Sequence, residues 1–259
     1  MNNHQYHMVN NSPWPILTSI SLFSLTTGAV MYMHKINMNI MIMGFTTMIL
    51  STYQWWRDIV RESTFQGIHN KKIMTMMKWG MMLFILSEVL FFTSFFWAFF
   101  HASLAPSIEL GMKWPPTGII SLNEMNIPLL NTIVLLTSGI SITWAHHSIL
   151  LKKLNQTLKS MMLTILLGMY FSMLQLYEYM ESSFTIADSI FGSTFFMMTG
   201  FHGIHVLVGT LFIMISTMRM NKLHFSNKHM IGFEASAWYW HFVDVVWLML
   251  YLSMYWWGM

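Results

Sequence analysis

Residues 81–101 read MMLFILSEVLFFTSFFWAFFH, an almost unbroken apolar run with one carboxylic acid, Glu88, inside it. A helix rises about 1.5 Å per residue, so about 20 apolar residues match the roughly 30 Å hydrocarbon layer of a bilayer. An acid at that depth is costly and is by default paired, neutral or functional. Similar runs recur near 16–33, 40–56, 79–101, 129–149, 159–180, 190–217 and 232–257. Helices satisfy their own backbone polar groups in lipid. The pattern therefore predicts an all-α protein, a single integral-membrane domain over 1–259 with seven transmembrane helices. Only 9% of the residues are charged, against about 25% in soluble domains. No internal repeat and no soluble domain boundary are apparent.

Basic residues orient such a chain. Arg57, Arg61, Lys71, Lys72, Lys78, Lys152, Lys153, Lys159, Arg219, Lys222 and Lys228 fall in or beside the second, fourth and sixth connections, and only Lys35 and Lys113 fall on the other side. The positive-inside rule then puts the N-terminus inside and the C-terminus outside. Trp55, Trp56, Trp114, Trp256 and Trp257 lie near span ends, where an aromatic belt is expected. The opening MNNHQYHMVNNSPWP is polar without Lys or Arg. It reads as neither a secretory signal nor an Arg-rich transit peptide.

Composition narrows the chemistry. With no cysteine, disulfides, thiolate metal sites and iron–sulfur clusters are excluded. A net charge of +3 rests on few charges and does not suggest nucleic acid. Met occurs 29 times, while Arg occurs only at 57, 61 and 219. That bias suggests an AT-rich gene, such as one read with a mitochondrial code.

Three groups of residues could carry chemistry. Arg57 and Arg61, with Asp58 and Glu62, alternate at helical spacing after Trp55 and Trp56. This edge suits an anionic headgroup or ordinary interfacial anchoring. His202 and His205 in GFHGIH share a helix face at a depth that His241 in WYWHFVD could match. A bis-histidine haem needs such a pair on facing helices, whereas interhelical hydrogen bonding is the plainer reading. Glu234, His241 and Asp244 share neighbouring positions in the last span, a face that should point into protein.

At this point the residues become recognisable. The chain closely resembles the cytochrome c oxidase subunit III family of animal mitochondria, and an invertebrate source is expected. The matching segments are HMVNNSPWP, YQWWRDIVRESTFQG, ILSEVLFFTSFFWAFFH, LAPSIELGMKWPPTGI, PLLNTIVLLTSGISITWAHHS, STFFMMTGFHGIHVLVGT and GFEASAWYWHFVDVVWLMLYLSMYWWG, in order over nearly the whole length. The GIHN stretch departs from the family's usual neighbours.

The resemblance implies a two-helix pair and a five-helix bundle separated by a lipid-filled cleft. It implies a core subunit of the respiratory oxidase that reduces oxygen with electrons from cytochrome c and pumps protons. Subunits I and II would be partners, with small accessory subunits around them. Haem a, haem a3 and copper would lie in partner subunits, and cytochrome c would be met only through the complex. The location implied is the mitochondrial inner membrane, with the N-terminus in the matrix and the C-terminus in the intermembrane space. Carried over by position, Glu88 matches a buried carboxylate that reacts with carbodiimides. Trp55, Trp56, Arg61, Glu62, His69, Arg219 and Lys222 match positions at bound phospholipids, cardiolipin among them. No catalytic residue and no metal ligand is implied in this chain. His202, His205, His241 and Asp244 are read as interhelical polar contacts. Glu88 is expected to hydrogen-bond a polar group on a neighbouring helix, with the sixth span the first candidate. A b-type cytochrome and a small-solute transporter are the competing classes.

Overall fold

The computed structural model describes residues 7–226 and 229–258. The polar residues 1–6 and Lys228, used above to read polarity and orientation, lie outside them. The helices are α1 (Trp14–Met33), α2 (Asn39–Thr64), α3 (Lys71–Leu104), α4 (Ile127–Leu150), α5 (Leu154–Glu181), α6 (Ser189–Asn221) and α7 (Ile231–Leu250). A π-helical turn, Tyr251–Trp257, continues α7. Among the described residues the only extended pairing is an isolated bridge between Ser226 and His229. The protein is all-α.

Five helices, α1, α3, α4, α5 and α6, are long and apolar enough to cross a bilayer on length and composition. In α2 the apolar run is diluted by Thr, Ser, Gln, Tyr and Trp, and in α7 by Trp, Tyr, Glu234, His241 and Asp244. Both α2 and α3 run past the apolar stretches that announce them, α2 through Arg57–Thr64 and α3 back to Lys71.

The chain divides into two compact units, Met1–Met76 and Met77–Met259. In the first, α1 and α2 form a hairpin whose helices nearly touch. A Cβ on Gly28 would lie 2.3 Å from the Met41 backbone nitrogen, and one on Gly44 would lie 2.5 Å from that of Leu25. Only glycine permits this approach, which is how lipid-embedded helices commonly associate. Further along the hairpin Thr18 and Ser51 meet, hydroxyl to hydroxyl, at 3.3 Å. Most of each helix's large apolar side chains, such as Phe23, Val30 and Leu50, face outward.

In the second unit α4, α5, α6 and α7 enclose a dense core around Trp240 and Trp247, both fully buried. Glycine again sets the spacing, here against side chains. A Cβ on Gly168 would meet Thr210 Cγ2 at 2.4 Å and Trp240 Cη2 at 2.7 Å, and one on Gly209 would meet Trp240 at 2.9 Å. The Trp240 indole donates to Ser138 Oγ at 2.9 Å. Ser141 with Thr164, and Ser148 with Thr157, join α4 to α5 at 2.7 Å each.

Helices α1, α4 and α6 end alike. The residue after each C-cap is left-handed: Lys35, Lys152 and Leu223, with φ of 58°, 58° and 56°. The following amide reaches back over the last turn, Ile36 to Met31, Lys153 to Ser148 and His224 to Arg219. This is the bonding of a glycine-ended Schellman cap, made here by residues that pay for the left-handed backbone.

Candidate functional site

Glu88 lies about midway along α3 and faces α6. Its Oε2 is 3.0 Å from His205 Nε2. The other ring nitrogen of His205, Nδ1, stands 2.7 Å from the Phe201 carbonyl oxygen. A carbonyl oxygen only accepts, so Nδ1 carries a hydrogen. Phe91 and Phe92 of α3 and Tyr239 and Phe242 of α7 pack around the imidazole ring. One turn away, the buried His202 places Nε2 3.2 Å from the Val243 carbonyl oxygen, between Phe171 and Trp247. These contacts bring α3, α6 and α7 together at one level.

His241 sits on another side of α7. Its Nδ1 is 3.8 Å from Asp244 Oδ2, and its side chain is 43% exposed, so this face is only partly turned into protein. Asp244 packs on the one residue of α4 that leaves room for it: a Cβ on Gly139 would lie 2.7 Å from Oδ2. Glu234 pairs with Lys78 of α3 at 2.6 Å. Glu234 thus turns to α3, while His241 and Asp244 stay together against Gly139 of α4.

One cluster escaped the sequence reading. Glu178 of α5, 2% exposed, accepts the Tyr255 hydroxyl at 2.5 Å and the Gln175 amide at 3.3 Å. Gln175 in turn accepts from Asn131 of α4 at 3.4 Å. The signal was present in the i, i+3 spacing of Gln175 and Glu178 inside an apolar run.

The basic membrane-edge residues divide between the units. Trp55 and Trp56, followed by Arg61 and Glu62, belong to α2, and His69 to the connection after it. Asp58, beside them, accepts from the Trp14 indole at 2.7 Å and pairs with Arg57 at 3.2 Å. The Trp14 bond, then Arg57, holds its carboxyl below the usual carboxylate range. In the second unit Arg219 stacks over the Phe225 ring, 4.4 Å to the centroid. Its Nε is buried without a hydrogen-bond partner among the described residues. Lys222, at the end of the same helix, is exposed.

The sequence profile of cytochrome c oxidase subunit III matches residues 4–259. The chain belongs to that family. It is 58% identical to cytochrome c oxidase subunit 3 of Locusta migratoria over 99% of this chain and 98% of the relative. Identity is 57% to the protein of that name from Drosophila melanogaster over 99% and 98%. It is also 57% to that of Damaliscus lunatus over 98% of each. The chain is therefore a helical membrane subunit of the cytochrome c oxidase complex, an oxidoreductase, and a mitochondrial membrane protein. Within subunit III, Glu88 and His205 form an ionisable pair, 22% and 11% exposed, that joins α3 to α6 near their middles.

Proposed function

We propose that this subunit supports oxygen reduction and proton pumping by the oxidase without a redox centre of its own, holding the core and its lipids in place. The observation that carries this reading is the state of the histidines. His205 has both ring nitrogens engaged, and His202 has its Nε2 on a backbone carbonyl. An axial haem ligand needs a free ring nitrogen aimed at open space. The His202 ring is buried between Phe171 and Trp247, and the His205 ring is packed by Phe91, Phe92, Tyr239 and Phe242, so aromatic rings occupy the space an iron would need. Haem a, haem a3 and copper then belong to subunits I and II, the partners of this chain together with small accessory subunits. Cytochrome c is met only through the complex.

All seven helices cross the inner membrane in this reading, with the N-terminus in the matrix and the C-terminus in the intermembrane space. The asymmetry of Lys and Arg supports that orientation. Anionic phospholipid, cardiolipin included, is proposed at two places: along Trp55, Trp56, Arg61, Glu62 and His69, and at Arg219 and Lys222. The second place sets the Arg219 guanidinium near the exposed Lys222 at the end of α6. A guanidinium matches a phosphate better than an ammonium does.

An optical spectrum of the isolated chain tests the redox part. No haem absorbance is expected, and a stoichiometric haem band would overturn it. Replacing Arg61 and Arg219 should loosen retained anionic phospholipid, and unchanged lipid content after detergent washing would count against those positions.

A further inference from the structure

In the first unit, three chain segments deliver metal-ligand side chains to one point. His7 comes from the arm before α1, Glu62 from the last turn of α2, and His69 from the connection that follows. One donor atom from each lies within 4.8 Å of the other two. His7 Nε2 is 3.8 Å from Glu62 Oε2, too long for a hydrogen bond. The other ring nitrogen of His7 is buried without a hydrogen-bond partner among the described residues. The imidazoles of His7 and His69 meet edge to face at 5.7 Å. Hydrogen bonding from its own nitrogens therefore does not explain where the His7 ring sits.

We infer that His7, Glu62 and His69 form a binding site for a divalent transition-metal ion, of which zinc is the best fit. Tetrahedral zinc holds imidazole nitrogen and carboxylate oxygen at about 2.0–2.2 Å, which sets its ligand atoms about 3.3–3.6 Å apart. The His7–Glu62 separation of 3.8 Å is slightly wider, so the three donor atoms, which lie within 4.8 Å of one another, draw together on binding. Two imidazoles and one carboxylate suit zinc, whereas magnesium and calcium require oxygen cages. Three protein ligands leave a fourth position for water. The ion would tie the N-terminal arm to the end of α2, joining residues 55 and 62 positions apart in the chain.

The site shares Glu62 and His69 with the phospholipid reading but does not depend on it. A carboxylate repels a phosphate and attracts a cation. The test uses the intact oxidase complex, stripped with a chelator and titrated with zinc alone. Equilibrium dialysis compares the wild-type chain with His7→Gln, His69→Gln and His34→Gln. Wild type and His34→Gln should bind one zinc ion per subunit III that the two site variants do not hold. The weakening should exceed the roughly 10–100-fold that loss of an outer-shell partner costs. X-ray absorption at the zinc edge should show two imidazoles on the bound ion. Equal zinc binding by all four complexes would overturn the site. So would its absence from wild type, or a loss of retained phospholipid in the site variants with zinc binding unchanged.

Discussion

The α1–α2 hairpin and the α4–α7 bundle solve the same problem by different means. In the hairpin, two glycines bring backbone against backbone, and few residues are enclosed: Thr18, Ser21 and Gly28 on α1, Gly44 and Ser51 on α2. Only 11% of the apolar window of α1 is buried, against 44% in α4 and α6. The bundle encloses whole tryptophans and ties them with polar atoms, as Trp240 is tied to Ser138. Water does not drive helices together inside lipid, so close contact and interhelical hydrogen bonds must do so. The hairpin depends on the first and the bundle on both. A fault in the hairpin should be all-or-none, and faults in the bundle should be graded.

The largest expected effect is in the second unit. Glu88→Lys places an ammonium against His205 with no counter-charge, and loss of a buried partner of this kind costs about 3–5 kcal/mol. Glu88→Gln keeps a hydrogen-bonding group there and should stay within about 1 kcal/mol of wild type. The yield of assembled complex on native gels reads both, and equal yields would remove the pair from the account of the bundle. Next comes Gly28→Ala. Its methyl would fall 2.3 Å from a backbone atom that cannot rotate away, an overpacking worth about 1–3 kcal/mol or more. Because the chain has no cysteine, a pair introduced on α1 and α2 would report hairpin contact cleanly. Cross-linking should fail in Gly28→Ala and persist in Gly80→Ala, whose added carbon meets open space. If both cross-link alike, the backbone contact is not what holds the hairpin.

Trp240→Phe should cost the bundle about 1–2 kcal/mol, through one lost hydrogen bond and the space left by the smaller ring. Thermal unfolding in detergent measures it, and an unfolded bundle would show grading to be wrong. The smallest effect concerns Asp58, whose carboxyl is held below its ordinary value by Trp14 and then Arg57. Its contribution is present above the ordinary carboxylate range and is lost as pH falls through the lowered value. Being partly exposed and screened, it should not exceed about 1 kcal/mol. Asp58→Asn should flatten the acid limb of hairpin stability, and an unchanged limb would assign that limb to other carboxylates.

The helices were legible because apolar runs of bilayer length allow little else. Their ends were not. Lys35, Lys152 and Leu223 occupy left-handed positions where a reader looks for glycine, so nothing marked the caps of α1, α4 and α6. Charged extensions such as Arg57–Thr64 continue a helix that hydropathy treats as finished. In the site, Glu88 drew attention because it stands alone in 81–101, and the sixth span was a sound place to look for its partner, since His202 and His205 lie there. Glu178 was passed over because it follows Gln175 and precedes Tyr179 near the end of a span, where an acid looks interfacial. Its enclosure depends on Tyr255, which arrives from 77 residues away. Glu234 was grouped with His241 by helical spacing, yet spacing cannot see Lys78 on α3.

The hydrogen on His205 Nδ1 has one more consequence. With that position spoken for, a single additional proton serves both Nε2 and the Glu88 oxygen facing it. Resting on oxygen, it leaves two uncharged groups, and resting on nitrogen it leaves a cation beside an anion. The sum of charge is zero in both arrangements. The contact between α3 and α6, 3.0 Å from nitrogen to oxygen, therefore presents no net ion to its surroundings wherever on that line the shared proton sits.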